Sequence, residues 1–442
     1  MNWRQGGRLL HTHHPPGDGV VTNVAIDNEY ILVSLTNGFV HVFSSKTGVF
    51  IRVLHGHRDG VWALHLVSKG GKLTPPPSQA GDEGRATPSA CSRSASPNRL
   101  RPPVSELHCG SGPDSPSDRG RSASPQVDGC CHHLSSSTGK TGTSFRESLG
   151  LDTTRPSDVC NASYGWGNSH AIAVTGSCDR TVRVWNVQTG YCLHVLKGHA
   201  STIRCVKALD GRPMAVSASR NGQLRVWDVE KGYCLRILQG HEGSVRALDV
   251  VGNVAVSGSY DYTARLWNVD TGDCIHVLRG HYRQIYSVAF DGKYIATGSL
   301  DSTVRLWDFD TGRCLALLQG HTSLVGNLQI IDGDLVTAGS DGRVIIFNIK
   351  DFQTIQRVCA HDNSVTTMQV DKSYLITGGN DGCVKLFERE TGTLVRELTE
   401  KCDAVWKVVM RKDKCVIMCK REGKTVVEVW SFAPTPEQLC TT

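Results

Sequence analysis

Short alternations of apolar and small polar residues run through most of the chain. Segments such as VAVSGS (254–259) and YIATGS (294–299) have the period of two that is typical of β-strands. Turn sequences such as DTG, at 270–272 and 310–312, separate these segments. The pattern predicts short antiparallel strands joined by tight turns, with about four strands in each forty residues.

Two signatures recur with the same spacing. Gly-His pairs occur at 56–57, 198–199, 240–241, 280–281 and 320–321, with Ala360-His361 as a variant, and the steps after the second pair are 42, 40, 40 and 40 residues. An aromatic residue follows most of the histidines in these pairs after 26 to 28 residues: Trp185, Trp227, Trp267, Trp307, Phe347 and Phe387. A period near forty, four strands per unit and these two signatures predict WD40 β-propeller blades.

The repeats predict an all-β fold, an eight-bladed β-propeller. The first unit has its core at about 20–48, and the others end near 190, 232, 272, 312, 351, 392 and 434. The segment GRLLHTHH (7–14) aligns with the outer strand of a regular blade, so we expect it to complete the last blade and close the ring. The propeller is then formed by 1–67 and 169–434, with a tail at 435–442.

A long segment interrupts the second blade. Residues 68–168 are rich in Ser, Pro, Gly and Arg, which predicts disorder. The segment falls between the first and second strands of that blade, so it should emerge on the face opposite the turns that follow the second strands. Two interpretations are open: a tolerated surface insertion, or a regulatory segment phosphorylated at Thr87-Pro88, Ser96-Pro97, Ser115-Pro116 or Ser124-Pro125.

Composition narrows the classes of function. The net charge of +6 is spread over 442 residues and does not by itself indicate a nucleic-acid partner. The 17 cysteines recur at repeat positions such as Cys192 and Cys234, as small buried hydrophobes do in a reducing compartment. CCHH at 130–133 lacks the spacing of metal ligands, and no cofactor motif is present. No stretch suits a signal peptide or a membrane span, so we expect a nuclear or cytoplasmic protein without a membrane partner.

Each regular unit contains a His, a Ser or Thr, and an Asp, which out of context resemble the parts of a hydrolase. A catalytic set is built once, whereas this set repeats with the fold, so we expect it to be structural and the protein not to be an enzyme. The residues assigned this structural role are His199, His241, His281, His321, Asp179, Asp261, Asp301 and Asp341.

Binding residues should instead differ from blade to blade. Two positions in each repeat should face one end of the central channel. The first is the fifth residue after the repeat histidine, or its counterpart in the last unit. The second is the residue before the turn Asp. The first position holds Trp62, Arg204, Arg246, Tyr286, Gly326, Thr366 and Trp406, and the second holds Cys178, Arg220, Tyr260 and Leu300. Three arginines from consecutive blades therefore meet aromatic residues, and Arg180 lies nearby.

Clustered arginines without an acidic partner in these positions indicate an anionic ligand. Guanidinium groups match phosphate oxygens, and aromatic faces suit proline or an extended apolar segment. The combination predicts a site for a phosphorylated, proline-containing peptide. Ordinary solvated arginines are the alternative, while a nucleic-acid backbone would need a longer track of basic residues.

Several segments give the sequence a specific resemblance. GHASTIRCV, SASRNGQLRVWD, GHEGSVRAL and SGSYDYTARLW resemble the propeller of F-box/WD-repeat substrate receptors of SCF ubiquitin ligases, of the cell-division-control type. The resemblance implies that Arg204, Arg220 and Arg246 grip the phosphate of a Thr-Pro degron. It further implies that Trp62, Arg180, Ser201, Thr202, Tyr260 and Tyr286 line the same groove. The register position alone places Trp406 beside the arginines.

The chain departs from the family pattern in two ways. Cys178 stands where relatives tend to have Thr, and Asn221 replaces the turn Asp beside Arg220. The family also carries an F-box before the propeller, whereas this sequence starts at the propeller. We therefore expect phosphorylated proteins as partners, and the SCF adaptor and cullin only if an upstream F-box exists. A general WD40 scaffold and an isolated phosphopeptide reader are the alternatives.

Overall fold

The computed structural model describes residues 3–4, 6–15, 19–74, 145–151 and 160–433. Eight antiparallel sheets, each with four propeller strands, follow one another along the chain. Neighbouring first strands contact each other around a central channel, and the last of them meets the first, so the sheets form a closed ring. The predicted all-β, eight-bladed propeller is confirmed.

The strands of the first four blades follow the predicted units. Strand β1 (Arg8–His13) precedes blade 1, which contains β2 (Val21–Ile26), β3 (Tyr30–Leu35), β4 (Val40–Ser44) and β5 (Phe50–Leu54). Blade 2 contains β6 (Val61–Val67), β10 (Ile172–Ser177), β11 (Val182–Asn186) and β12 (Cys192–Leu196), and between its first two strands lie β7 (Gly70–Gly71), α1 (Phe145–Ser148), β8 (Ala162–Ser163) and β9 (Trp166–Asn168). Blade 3 contains β13 (Ile203–Ala208), β14 (Met214–Ser219), β15 (Leu224–Asp228) and β16 (Tyr233–Leu238), and blade 4 contains β17 (Val245–Val251), β18 (Val254–Ser259), β19 (Ala264–Asn268) and β20 (Cys274–Leu278).

The last four blades continue the same order. Blade 5 contains β21 (Ile285–Phe290), β22 (Tyr294–Ser299), β23 (Val304–Asp308) and β24 (Cys314–Leu318), and blade 6 contains β25 (Val325–Ile331), β26 (Asp334–Gly339), β27 (Arg343–Asn348) and β28 (Thr354–Cys359). Blade 7 contains β29 (Val365–Val370), β30 (Tyr374–Gly379), β31 (Val384–Glu388) and β32 (Leu394–Glu397), and blade 8 contains β33 (Ala404–Arg411), β34 (Lys414–Arg421) and β35 (Lys424–Ser431).

Strand β1 closes the ring. It pairs antiparallel with β35, so the N-terminal segment supplies the outer strand of blade 8. The pairing occupies an edge of β35 that would otherwise expose a row of unpaired backbone groups. This pairing agrees with the prediction that GRLLHTHH (7–14) completes the last blade and closes the ring.

The core consists of layers between adjacent blades. The second strands of the regular blades are buried over all or nearly all of their length, as β18 is at all six positions. The repeated tryptophans pack across blade boundaries: Trp227 of blade 3 lies in the apolar cluster of blade 2, and Trp267 of blade 4 in that of blade 3. Each blade therefore buries its apolar surface only when its neighbour is in place, which accounts for the closed ring.

The two ends of the predicted disordered segment are folded, which corrects the expectation for 68–168 at its margins. Strand β8 adds to β6 in parallel, and β9 pairs with β7. Residues 145–151 lie on blades 4 and 5, where Leu149 and Leu151 are buried in the cluster that contains Phe290. The overall Ser and Pro content hid these short apolar stretches. Residues 75–144, with the four Ser/Thr-Pro motifs, and 434–442 lie outside the described residues.

Residues 145–151 are held on the face opposite the predicted site. The guanidinium of Arg146 forms an ion pair with Asp310 (3.1 Å) and donates a hydrogen bond to the Gly292 carbonyl (2.6 Å). Gly292 belongs to the turn that joins the first two strands of blade 5. Tyr286 lies near the start of the first strand of that blade. The turn that contains Gly292 is at the opposite end of the blade. Among the described residues, no helix is long and apolar enough to cross a membrane.

Candidate functional site

The predicted ring positions share one structural feature, a β-bulge. In the first strand of every blade, one residue near the start has no partner in the register with the second strand, which is what a bulge produces. These unpaired residues are Thr22, Trp62, Arg204, Arg246, Tyr286, Gly326, Thr366 and Trp406. The bulge re-aims one side chain per blade, and eight such residues surround one mouth of the channel.

Thr22 is the ring residue that the sequence analysis missed, because blade 1 has no Gly-His pair from which to count. Its hydroxyl donates a hydrogen bond to the Val61 carbonyl of the next blade. Thr366 makes the corresponding bond to the Val405 carbonyl at 2.6 Å. These two threonines join neighbouring blades, and Gly326 has no side chain. The large ring side chains left to contact a ligand are thus two arginines and three aromatic residues.

Arg204 lies beside Trp62. Its guanidinium carbon is 5.5 Å from the centre of the Trp62 ring, in a cation–π contact that fixes the arginine without neutralising it. The Nε atom of Arg204 is buried and has no hydrogen-bond partner. Trp62 remains 39% exposed despite this contact. An aromatic face and a guanidinium edge are therefore both available to a ligand at the boundary of blades 2 and 3.

Arg220 and Arg246 extend the basic surface to the next blade boundary, and both are exposed. The backbone of Arg220 is fixed because its N–H donates to the Thr202 carbonyl at 2.9 Å. The Ser219 hydroxyl also donates to the carbonyls of Ser201 (3.1 Å) and Thr202 (3.0 Å). The loop that carries Ser201 and Thr202 is thereby tied to the strand end that carries Arg220.

Tyr260 and Tyr286 form an aromatic pair on the far side of Arg246. Their ring centres are 5.1 Å apart, with 37° between the planes. A hydrogen bond with the Tyr260 hydroxyl, together with partial burial, raises the pKa of Tyr286. Tyr286 therefore stays neutral at physiological pH, and the pair offers an apolar wall with a polar tip. Arg180, at the turn of blade 2, is exposed in a left-handed conformation with φ of 66°.

A cavity of about 320 Å³ continues from this ring into the channel, lined by Trp62, Arg204, Arg246 and Tyr286 among others. Lys207 and Lys407 also line it, and neither was among the predicted residues. Burial, with the charges of Arg246 and Lys207, lowers the pKa of Lys407 to about 8. The described lining residues include no Asp or Glu, so the cavity has a positive potential.

Trp406 lies apart from this cavity. It borders a second one, of about 450 Å³, together with Val20, Lys420 and Lys424. The lining of the first cavity does not include Arg180, Ser201, Thr202, Arg220 or Tyr260. The structure thus brings together Trp62, Arg204, Arg246 and Tyr286, with Tyr260 in contact through Tyr286.

The repeated His, hydroxyl and Asp residues form buried hydrogen-bonded chains. In blade 5, His281 Nδ1 is 2.8 Å from Asp301 Oδ2, and His281 Nε2 is 2.8 Å from the Thr297 hydroxyl. The indole N–H of Trp307 donates to the same hydroxyl at 2.9 Å. Burial lowers the pKa of His281, so the neutral imidazole donates from Nδ1 to the carboxylate and accepts from Thr297. No bond in this chain points to solvent, which fits a structural role.

The same arrangement recurs around the ring. The His Nδ1–Asp distances are 2.7 Å for His241–Asp261, 2.8 Å for His57–Asp179 and 3.0 Å for both His321–Asp341 and His361–Asp381. The members His57, His361 and Asp381 were not assigned from sequence, although the same Gly-His spacing could have found the histidines. Within the described residues, no group of three or more His, Cys, Asp or Glu side chains could hold a metal ion.

Blade 3 breaks this chain at Asn221. His199 Nε2 still lies 2.6 Å from the Ser217 hydroxyl, but its buried Nδ1 has no hydrogen-bond partner. Asn221 is exposed. Burial and the charge of Arg225 lower the pKa of His199 to about 3, so the imidazole is neutral. The interrupted chain lies directly beside Arg220.

The chain belongs to the WD40 family. The family model described as "WD domain, G-beta repeat" matches six segments, at 153–186, 190–228, 232–268, 272–308, 312–348 and 352–388. The solved structure of the computationally designed Ika8 protein has a TM-score of 0.65 to this chain, with 23% identity over 94% of this chain and 97% of that one. This second likeness shows a shared fold.

Short stretches also match yeast proteins. The WD repeat-containing protein pop1 of Schizosaccharomyces pombe is 63% identical over 38 residues, which is 9% of this chain and 5% of pop1. Cell division control protein 4 of Saccharomyces cerevisiae is 56% identical over 39 residues, 9% of this chain and 5% of that protein. The matches thus span about 5% of the length of these relatives.

Proposed function

We propose that this propeller recognises phosphorylated Thr-Pro or Ser-Pro peptides and serves as the substrate-binding part of an SCF-type ubiquitin ligase. The observation that carries the proposal is the set of three arginines from blades 3 and 4 at one mouth of the channel. Arg204, Arg220 and Arg246 form no ion pair with any described residue. Three like charges without counter-charges are costly to hold together, and a dianionic phosphate would relieve their repulsion.

The aromatic residues on both sides of the arginines suit the rest of such a peptide. Trp62 and the Tyr260–Tyr286 pair flank the cluster. A proline ring, or an aliphatic side chain next to the phosphorylated residue, can pack against these faces without an unpaired polar group. The ligand is therefore expected to be an extended segment that crosses the mouth, with its phosphate over the arginines.

The ligase role rests on the resemblance to F-box/WD-repeat substrate receptors, together with the short matches to cell division control protein 4 and pop1. In this role the propeller is not an enzyme, and partner subunits transfer ubiquitin to the bound protein. The adaptor and cullin become partners only through an F-box, so a phosphopeptide reader that does not recruit them is the second candidate. The third candidate, a WD40 scaffold, would bind unphosphorylated proteins at the same mouth.

Fluorescence polarisation with a labelled Leu-Leu-pThr-Pro-Pro peptide tests the binding step. We expect micromolar or tighter binding that is lost without the phosphate. Because a charge-assisted hydrogen bond is worth about 1.5–3 kcal/mol, Arg204→Ala should weaken binding roughly 10- to 150-fold. Arg313→Ala is the matched control, since Arg313 is exposed in the turn between β23 and β24 on the opposite face. Equal binding of both peptides would favour the scaffold and refute the phosphate site.

Pull-down of the purified adaptor separates the remaining candidates. The ligase interpretation requires a complex between the adaptor and the full-length protein, whatever the peptide result. A protein that binds the phosphopeptide but not the adaptor is a reader without ligase activity.

A further inference from the structure

Blade 8 has no repeat histidine and carries a pair of cysteines in this region. The backbone N–H of Cys402 donates to the Gly382 carbonyl at 2.9 Å, as the N–H of His361 does to Gly342 one blade earlier at 3.0 Å. Cys402 therefore takes the place of the repeat histidine. Cys419 pairs with Val405 in the register where blades 2 to 5 carry a serine, such as Ser299 opposite Ile285.

The two cysteines lie side by side, and Cys402 contacts a guanidinium group. The Asp403 N–H donates to the Lys420 carbonyl at 2.8 Å, so the residues next to the two cysteines are paired, and both cysteines belong to one buried cluster. Arg421 Nη2 donates to the Cys402 sulfur at 3.4 Å, while its Nη1 forms an ion pair with Glu428 Oε1 at 2.7 Å. Glu428 is buried and also accepts a hydrogen bond from the indole N–H of Trp430 at 3.0 Å. This network fixes the guanidinium against Cys402.

These neighbours favour a thiolate on Cys402 alone. The hydrogen bond from Cys419, and then that from Arg421, lower the pKa of Cys402 to about 6, against burial and the charge of Glu428. The same contact, together with burial, raises the pKa of Cys419, which keeps its proton. The pair thus consists of one nucleophilic sulfur and one protonated thiol in contact with it.

Cys402 lies close to the surface of the blade. Cys402 is 7% exposed, and its neighbours Lys401 and Asp403 are both exposed. The linker that carries it connects β32 to β33 at the same end of the propeller as the bulge ring, four residues before Trp406. Cys415, on the same strand as Cys419, is fully buried, and burial raises its pKa. It provides a control within the same blade.

We propose that Cys402 and Cys419 form an oxidative modification site in which a hydroperoxide oxidises Cys402 and Cys419 converts the product to a reversible disulfide. The Cys402 thiolate attacks one oxygen of hydrogen peroxide, the S–O bond forms, the O–O bond breaks and hydroxide leaves. The sulfur is oxidised by two electrons and the peroxide is reduced. Cys419 then loses its proton and attacks the Cys402 sulfur, so the S–S bond forms, the S–O bond breaks and water leaves. Two thiol–disulfide exchanges with a dithiol reverse the reaction.

Peroxide titration of the purified full-length chain tests this site. After treatment with hydrogen peroxide and alkylation of the remaining thiols, digestion and mass spectrometry should show Cys402 linked to Cys419, and dithiothreitol should abolish that species. In Cys419→Ser the sulfenic acid on Cys402 should persist and be trapped by dimedone. In Cys402→Ser no oxidation of Cys419 should occur, and Cys415→Ser should behave as the unmodified chain does.

The rate at which Cys402 reacts is a second measurement of the same site. Iodoacetamide should alkylate Cys402 with a midpoint near the pKa of about 6, well below that of an ordinary cysteine. At pH 6.5 hydrogen peroxide should oxidise Cys402 at least about tenfold faster than it oxidises the exposed Cys314. Arg421→Gln should reduce this ratio, and Arg421→Lys should restore part of it. Oxidation of Cys402 no faster than Cys314, or its linkage to other cysteines without Cys419, would overturn the proposal.

Discussion

Replacement of Asp301 by Asn tests the structural role of the repeated chain. The two carboxylate oxygens accept four hydrogen bonds: from His281 Nδ1 (2.8 Å) and the Tyr282 N–H (3.1 Å) on one oxygen, and from the Thr303 N–H (2.9 Å) and hydroxyl (2.6 Å) on the other. The amide of an Asn at this position has only one acceptor oxygen. Its NH₂ group would replace the other oxygen and would face two hydrogen-bond donors, with which it cannot bond. At least two of these bonds should be lost.

The pKa of Asp301 gives the magnitude. Although burial raises the pKa, hydrogen bonds from Thr303 and His281 lower it from 3.8 to about 2. One pKa unit corresponds to about 1.4 kcal/mol, so the folded state favours this carboxylate by roughly 2 kcal/mol. The side chain is only 8% exposed, so solvent screening reduces this value little. Asp301→Asn should lower the free energy of unfolding by about 2 kcal/mol at pH 7.

Urea denaturation at a series of pH values is the assay. The folded pKa lies below the unfolded one, so the carboxylate stabilises the fold fully above about pH 4 to 5. The advantage of the wild type over Asp301→Asn should stay constant from pH 7 to 5 and shrink as the pH falls below 3.8 towards 2. Asp273→Asn, at an exposed turn, should show neither effect. A pH-independent difference, or none, would refute the reasoning.

Two further predictions concern the ring and the insertion. Trp62→Ala removes the cation–π partner of Arg204 and should weaken phosphopeptide binding about tenfold in the polarisation assay, with circular dichroism unchanged; unaltered affinity would exclude Trp62 from the site. Arg146→Ala should speed hydrogen exchange in 145–151 while the stability of the propeller changes by less than about 1 kcal/mol, because the Arg146–Asp310 pair is partly exposed. Slow exchange in that variant would show that Leu149 and Leu151 suffice to hold the segment.

The period of the sequence was enough to predict the blades because the propeller repeats one unit. Each Gly-His pair and each tryptophan occupies an equivalent place, so counting residues locates strands, turns and the start of every first strand. Closure by β1 was also predictable, since its sequence matches an outer strand. The ring residue of each blade with a Gly-His pair followed from the same count, and the bulge at each such residue is the physical reason that the count works.

Contacts between non-equivalent parts could not be counted in this way. The segment 145–151 packs on blades 4 and 5, far from its own blade in sequence, and no periodic signal marks that contact. The thiol pair at Cys402 and Cys419 joins a linker to a strand in the least regular blade.

Asn221 interrupts the repeated hydrogen-bonded chain and lies next to Arg220. Its replacement by Asp should therefore affect the stability of the propeller and the affinity for phosphopeptide in opposite directions. An Asp should accept the hydrogen bond that buried His199 Nδ1 now lacks, which should raise the free energy of unfolding by about 1–2 kcal/mol. The same carboxylate would stand beside Arg220 and compete with phosphate for its guanidinium.

Asn221→Asp should therefore be more stable than the wild type and bind the phosphorylated peptide several-fold more weakly, with the loss reduced at high salt. Gln353→Glu adds the same charge at an exposed turn on the opposite face and should change neither property. If the variant gains stability without losing affinity, Arg220 does not contact the phosphate. If the variant loses affinity, the Asn at position 221 is what leaves Arg220 free to bind the phosphate. Asn221 is then part of the binding site.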